Sequence, residues 1–127
     1  MSLAVRHDPA SAAVVRHSIA YDLGAHGVLD ADIADVVLVA SELVGNAVVH
    51  AAARHHDNLD VTWELEADAV VIRVRDGSAD VPEVRRPDST EASGRGLAIV
   101  AALARDWGVR RDASGKQVWA RIPISFR

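Results

Sequence analysis

From Ile33 to Ala47 apolar residues recur at steps of three and four, at Ile33, Val36, Val37, Ala40, Leu43, Val44 and Ala47, the repeat of one helix face. A helix this rich in Val and Ala must bury most of its circumference, so the chain has to supply a second layer for it to lie against. Two polar residues interrupt the apolar run. Glu42 and Asn46 stand four apart, which projects them from the same side one turn above the other, with His50 a further turn along. A carboxylate and a carboxamide are unfavourable to bury without partners. They therefore face either solvent, as the polar stripe of an amphipathic helix, or something polar that meets them. The spacing does not choose between the two, because Glu-x-x-x-Asn has almost no specificity of its own.

At 127 residues the chain is expected to form a single domain, 1–127, with one continuous core. Only 4% of it is aromatic, so that core must be mostly Val, Ala, Leu and Ile. The net charge of −4 argues against a nucleic-acid partner, which would require clustered Lys and Arg. The pairs Arg85-Arg86 and Arg110-Arg111 read as solvated surface. The absence of Cys excludes disulfides and thiolate metal sites. No apolar run, Val36 to Ala40 included, comes near the length of a membrane span, and a cytoplasmic protein is expected.

In chain order, Ser2 to Arg6 reads as a short strand, and His7-Asp8-Pro9 as the turn into a first helix that ends near Gly24, with Val14, Val15, Ser18, Ile19, Tyr21, Asp22 and Leu23 on its mixed apolar side. Asp30 or Asp32 is placed to cap the second helix, which runs to about Ala53. Val61, Trp63 and Leu65 then alternate with polar residues as a half-buried strand, and Val70 to Val74 forms its antiparallel partner and delivers Asp76 at a strand end. Residues 77–93 show no period of either kind and read as one long loop of the sort that forms a binding lid. Gly94-Arg95-Gly96 opens a third helix. Two more strands follow at 107–111 and 117–124, the last with Val118, Ala120 and Ile122 on one face. Trp63, Trp107 and Trp119 belong to the core or rim of the sheet. The order βααββαββ, with strands joined by short turns, predicts a two-layer α+β sandwich with its helices on one face of a mixed, mostly antiparallel sheet.

Each of three segments supplies a different part of a nucleotide site. The glycine-entered helix start at Gly94, Arg95, Gly96 and Leu97 offers backbone N–H groups and a positive dipole end to phosphate. Asp76 at a strand end can accept from the exocyclic amine of adenine. The Asn46 carbonyl oxygen is a hard ligand suited to Mg²⁺, which keeps substrate phosphates and waters as its other ligands. His50, His55 and His56 have no carboxylate partners at a defined spacing, so a metal site among them is set aside, and His50 is expected to pack beneath the phosphates or to bond the helix of Asn46.

Taken together, Ser41-Glu-Leu-Val-Gly-Asn-Ala-Val-Val-His-Ala51, Val74-Arg-Asp-Gly-Ser78 with Pro82, Ser93-Gly-Arg-Gly-Leu-Ala-Ile-Val100 and Asp106-Trp-Gly108 resemble the anti-sigma-factor serine kinases of the GHKL superfamily, which also holds gyrase, the large heat-shock chaperones and histidine kinases. The resemblance covers nearly the whole chain. It implies the Bergerat ATP-binding fold, with Glu42 as general base, Asn46 as Mg²⁺ ligand, Asp76 as adenine contact and Gly94 to Leu97 under the phosphates. It further implies a kinase that phosphorylates an anti-anti-sigma protein of the STAS type, sequesters a sigma factor and forms a homodimer. The chain departs from the pattern in three places. Ser78 and Asp80 occupy the two later glycine positions of the Asp-x-Gly-x-Gly box, so Ser78 takes a glycine's place beside the nucleotide. Gln117 stands where relatives often carry a Thr beside the adenine-binding Asp. Glu91-Ala92-Ser93 lacks an Arg found in sporulation-type kinases, which leaves Arg95 to supply positive charge to the terminal phosphate. These departures keep open an alternative, a nucleotide-gated binding module of the same fold without phosphotransfer.

Overall fold

The computed structural model describes residues 1–6, 8–50, 58–76, 97–113 and 115–127. They form β1 (Ser2–Arg6), α1 (Ser11–Ala25), α2 (Asp30–His50), β2 (Asn58–Leu65), β3 (Ala69–Asp76), α3 (described over 97–103), β4 (Asp106–Asp112) and β5 (Gly115–Pro123). The order is the one the sequence predicts. The long loop expected at 77–93 lies outside the described residues.

The strands lie side by side as β1-β2-β3-β5-β4. The expected sheet is mixed and mostly antiparallel; every pairing among the described strands is antiparallel. The reason is the placement of β4. A helix separates β3 from β4, and had β4 settled beside β3 the two would have run parallel. Instead β4 takes the edge and its hairpin partner β5 fills the place next to β3, which makes each neighbour antiparallel. The result is an α+β fold with a five-stranded open sheet and three helices.

One face of the sheet carries the core. Leu59, Val61 and Trp63 of β2, Val70, Ile72 and Val74 of β3, and Val118, Ala120 and Ile122 of β5 pack with Val15, Ile19 and Leu23 of α1, with Val36, Val39, Ala40, Leu43 and Val44 of α2 and with Val100 of α3. The period-two alternation of the strands and the helical repeat of α2 thus meet in a single apolar layer. In α1 the buried stripe is narrower than the sequence suggests. Ser11, Val15, Ile19 and Leu23, strictly four apart, are buried, while Val14 and Tyr21 are exposed.

Local chemistry fixes where α1 stops. Gly27 has φ +84, the Gly27 amide donates to the Gly24 carbonyl and the Val28 amide to the Leu23 carbonyl, with Leu23 and Val28 both buried. This is the Schellman ending, in which glycine accepts a left-handed conformation that closes the orphan carbonyls. α1 is then held to the sheet by the Trp63 indole, whose Nε1–H donates to Asp22 Oδ2 at 2.8 Å.

The start of α2 is tied to the other terminus. The Leu29 amide donates to the Ser125 carbonyl at 3.0 Å, and the Ser125 amide donates back to Asp32 Oδ2 at 2.7 Å. Arg127 Nη2 donates to Asp30 Oδ1 at 2.7 Å. Both aspartates sit in the first turn, where the dipole favours them. The expected capping role goes elsewhere: Asp32 spends its carboxylate on Ser125, because the chain after β5 brings an amide within reach.

On the face away from the helices, Gly108 of β4 pairs with Trp119 of β5, and a Cβ at Gly108 would stand 3.0–3.2 Å from the indole. The ring fills the space of the missing side chain, with the Arg121 guanidinium 5.9 Å from its centroid. Carboxylates at Glu66 and Asp106 flank that guanidinium and raise its pKa further above the ordinary arginine value. Gly108→Ala should therefore destabilise the fold by about 1–3 kcal/mol, read from the urea midpoint. In a Trp119→Ala background the same change should be close to neutral; an equal loss in both backgrounds would contradict this packing.

Candidate nucleotide site

The direction of α2 decides where its polar residues lie. Its first turn is bonded to Ser125, just beyond the C-terminal end of β5. Packed across β3 and β5, it runs back toward the start of β5 and leads, through residues 51–57, into Leu59 of β2, which pairs with Asp76. At 1.5 Å per residue its length is about 30 Å, so the stretch from Glu42 to His50 lies toward the sheet end that holds Asp76.

On α2, Asn46 follows Leu43 by three and Val39 by seven, and Glu42 follows Val39 by three, so both flank the buried stripe. Neither is at the centre of a solvent face: both are half-buried. The Asn46 Oδ1 atom is itself buried and accepts no hydrogen bond among the described residues. A buried carbonyl oxygen without a donor is uncommon and unfavourable. This is the polar acceptor that the sequence reading required something to face. Its chemistry, a neutral hard oxygen, fits a divalent cation of the Mg²⁺ type. His50 lies in the last turn of α2.

Asp76 closes β3 on the helix-facing side of the sheet, for its partner across the β2 ladder is Leu59, which is fully buried in the core. On its other side it faces Lys116 of β5, and Lys116 in turn faces Arg111 of β4. Asp76 and Lys116 each take part in an interaction within the fold. Gln117 is opposite Arg75 and Arg110. Successive strand residues alternate faces, so Gln117 shares the far face with Trp119 and does not join Asp76. This corrects the placement of Gln117 beside the base. The parity was present in the sequence: Val118, Ala120 and Ile122 on one face exclude Gln117 from it and include Lys116.

Leu97 is the first described residue of α3 and is half-buried. Ser78, Gly94, Arg95 and Gly96 lie outside the described residues, as do His55 and His56. Among the described residues no cluster of three His, Cys, Asp or Glu is placed to hold a metal, so Asn46 could contribute a single protein ligand to an ion whose other ligands come from phosphate and water. A groove of about 570 Å³ lined by Met1, Asp22, His26, Trp63, Glu64, Leu65 and Glu66 lies at the opposite end of the sheet, away from these groups. No described helix is long and apolar enough to cross a membrane.

The family model of the histidine kinase-like ATPase domain matches residues 5–122, and the chain belongs to that family. Comparison with curated proteins gives no match. Membership implies ATP as the ligand, usually with Mg²⁺.

The unsatisfied acceptor generates a stability prediction. Replacing Asn46 with Leu, similar in shape and without the carbonyl, should raise the stability of the ligand-free protein by about 1 kcal/mol, measured by urea unfolding. A loss of similar size would mean that the carboxamide is hydrogen-bonded in solution and not held for a ligand.

Proposed function

We propose that this protein is an ATP-dependent serine/threonine kinase of the anti-sigma type. It phosphorylates a small anti-anti-sigma protein of the STAS type and, when not held by that partner, sequesters a sigma factor, working as a homodimer in the cytoplasm. The observation that carries the reading is the buried Asn46 Oδ1, without a hydrogen-bond partner among the described residues, one turn from Glu42 on a helix directed toward Asp76. The motif set from Ser41 to Gly108 and membership of the ATPase family support it.

The residues divide the work as follows. Asn46 would hold Mg²⁺, which would neutralise charge on the phosphates when bound. Asp76 accepts from the adenine amine. The resemblance assigns Gly94, Arg95, Gly96 and Leu97 to the phosphates, and Ser78 and His50 to the same nucleotide. Glu42 takes the proton from the substrate hydroxyl as the phosphoryl group transfers. Such transfer passes through a loose transition state, so positioning and electrostatics dominate over covalent help from the protein.

The two roles on α2 separate experimentally. A metal ligand contributes already in the ground state, whereas a general base contributes only in the transition state. Asn46→Ala should weaken Mg-ATP binding in calorimetry, while Glu42→Ala should bind within a few-fold of wild type and lose about 10² to 10⁴ of the transfer rate to the partner protein. Wild-type transfer by Glu42→Ala would remove Glu42 from catalysis. ATP binding without transfer in any form would establish the alternative, a nucleotide-gated binding module.

A further inference from the structure

The row of residues that crosses the helix-facing side of the sheet at its Asp76 end runs Leu59, Asp76, Lys116, Arg111, one from each of β2, β3, β5 and β4. Full burial of Leu59 in the core fixes the side of the sheet on which the row stands. Asp76 and Lys116 are directly opposed in register, which sets their Cβ atoms about 5 Å apart. Arg111 is a strand further away, adding about 4.8 Å, and Gln117 is on the other face. Lys116 is therefore the one cation in the row whose side chain starts next to that of Asp76.

We infer that Lys116 is the second half of a base-reading pair, its ammonium donating to the ring N1 of adenine while the Asp76 carboxylate accepts from the exocyclic amine. The inference rests on the nucleotide reading above and adds a specificity determinant to it. The chemistry matches atom by atom. The Watson–Crick edge of adenine presents a donor, the amine, beside an acceptor, N1. A carboxylate only accepts and an ammonium only donates. Guanine reverses the order: in the same pose its O6 acceptor would meet the carboxylate and its N1–H donor would meet the ammonium. The pair thus rejects guanine at two positions where a lone carboxylate rejects it at one.

The experiment compares ATP with 1-deaza-ATP, in which N1 is replaced by a C–H group, by calorimetry in Mg²⁺. Wild type should bind ATP at least about tenfold more tightly, the usual worth of a hydrogen bond to a charged group. In Lys116→Met the two ligands should bind equally, near the wild-type affinity for 1-deaza-ATP, and Lys116→Arg should restore much of the difference. Unchanged urea midpoints would show that the variants are folded. Equal binding of both ligands by wild type would overturn the inference and leave the nucleotide reading intact. So would a preference for ATP that survives in Lys116→Met, since another group would then be reading N1. Binding of neither ligand by wild type would overturn the nucleotide reading itself, and this inference with it.

Discussion

The fold depends on α2 lying in one direction across the sheet. An apolar helix of 21 residues could pack on a five-stranded sheet either way round. The reciprocal bonds between Leu29, Asp32 and Ser125 tie its first turn to the chain leaving β5, and the chain from its last turn enters β2. With both ends fixed, Glu42, Asn46 and His50 are carried to the end of the sheet where β3 finishes and β5 begins. Reverse the helix and the same residues would sit over the groove near Trp63, with no carboxylate of Asp76 or ammonium of Lys116 near them.

Among the described residues the structure around that helix is conventional in its energetics except at one atom. The core is an apolar layer of Val, Leu, Ile and Trp63 contributed by every layer of the fold, and the ion pairs on the far face are exposed pairs of small worth. Asn46 Oδ1 departs from the pattern. Leaving a buried carbonyl oxygen unsatisfied costs about 1–3 kcal/mol, a sizeable part of the 5–15 kcal/mol by which a domain is stable. A ligand that supplied the missing partner would recover that energy on binding.

Much of this was legible in the sequence, and the parts that were not have particular causes. The helical repeat of 33–47 and the alternation at 61–65 and 70–74 gave elements and faces, because both are enforced by the same core. The exposure of Val14 and Tyr21 was not readable, since nothing in α1 alone says how wide a stripe its partners will cover. The use of Asp32 by Ser125, 93 positions away, depends on tertiary closure that no local capping rule contains. The wholly antiparallel sheet required knowing that β5 and not β4 sits beside β3. Gln117 is different in kind. It was placed beside Asp76 by the resemblance, although the alternation of Val118, Ala120 and Ile122 already assigned that face to Lys116. Period-two parity is set by covalent geometry and outranks a motif position read by eye.

The central claim is that the unsatisfied Asn46 carbonyl is completed by a metal that arrives with ATP. Mn²⁺ can replace Mg²⁺ as a paramagnetic probe, and the side-chain amide resonances of Asn46 report on an ion within a few ångströms of its carbonyl. Titration of ¹⁵N-labelled protein with Mn²⁺ and ATP together should broaden the Asn46 side-chain signals first, ahead of those of exposed α1, while the same Mn²⁺ without nucleotide should leave them sharp. Tight binding of Mn-ATP that broadens resonances elsewhere and spares Asn46 would contradict the account.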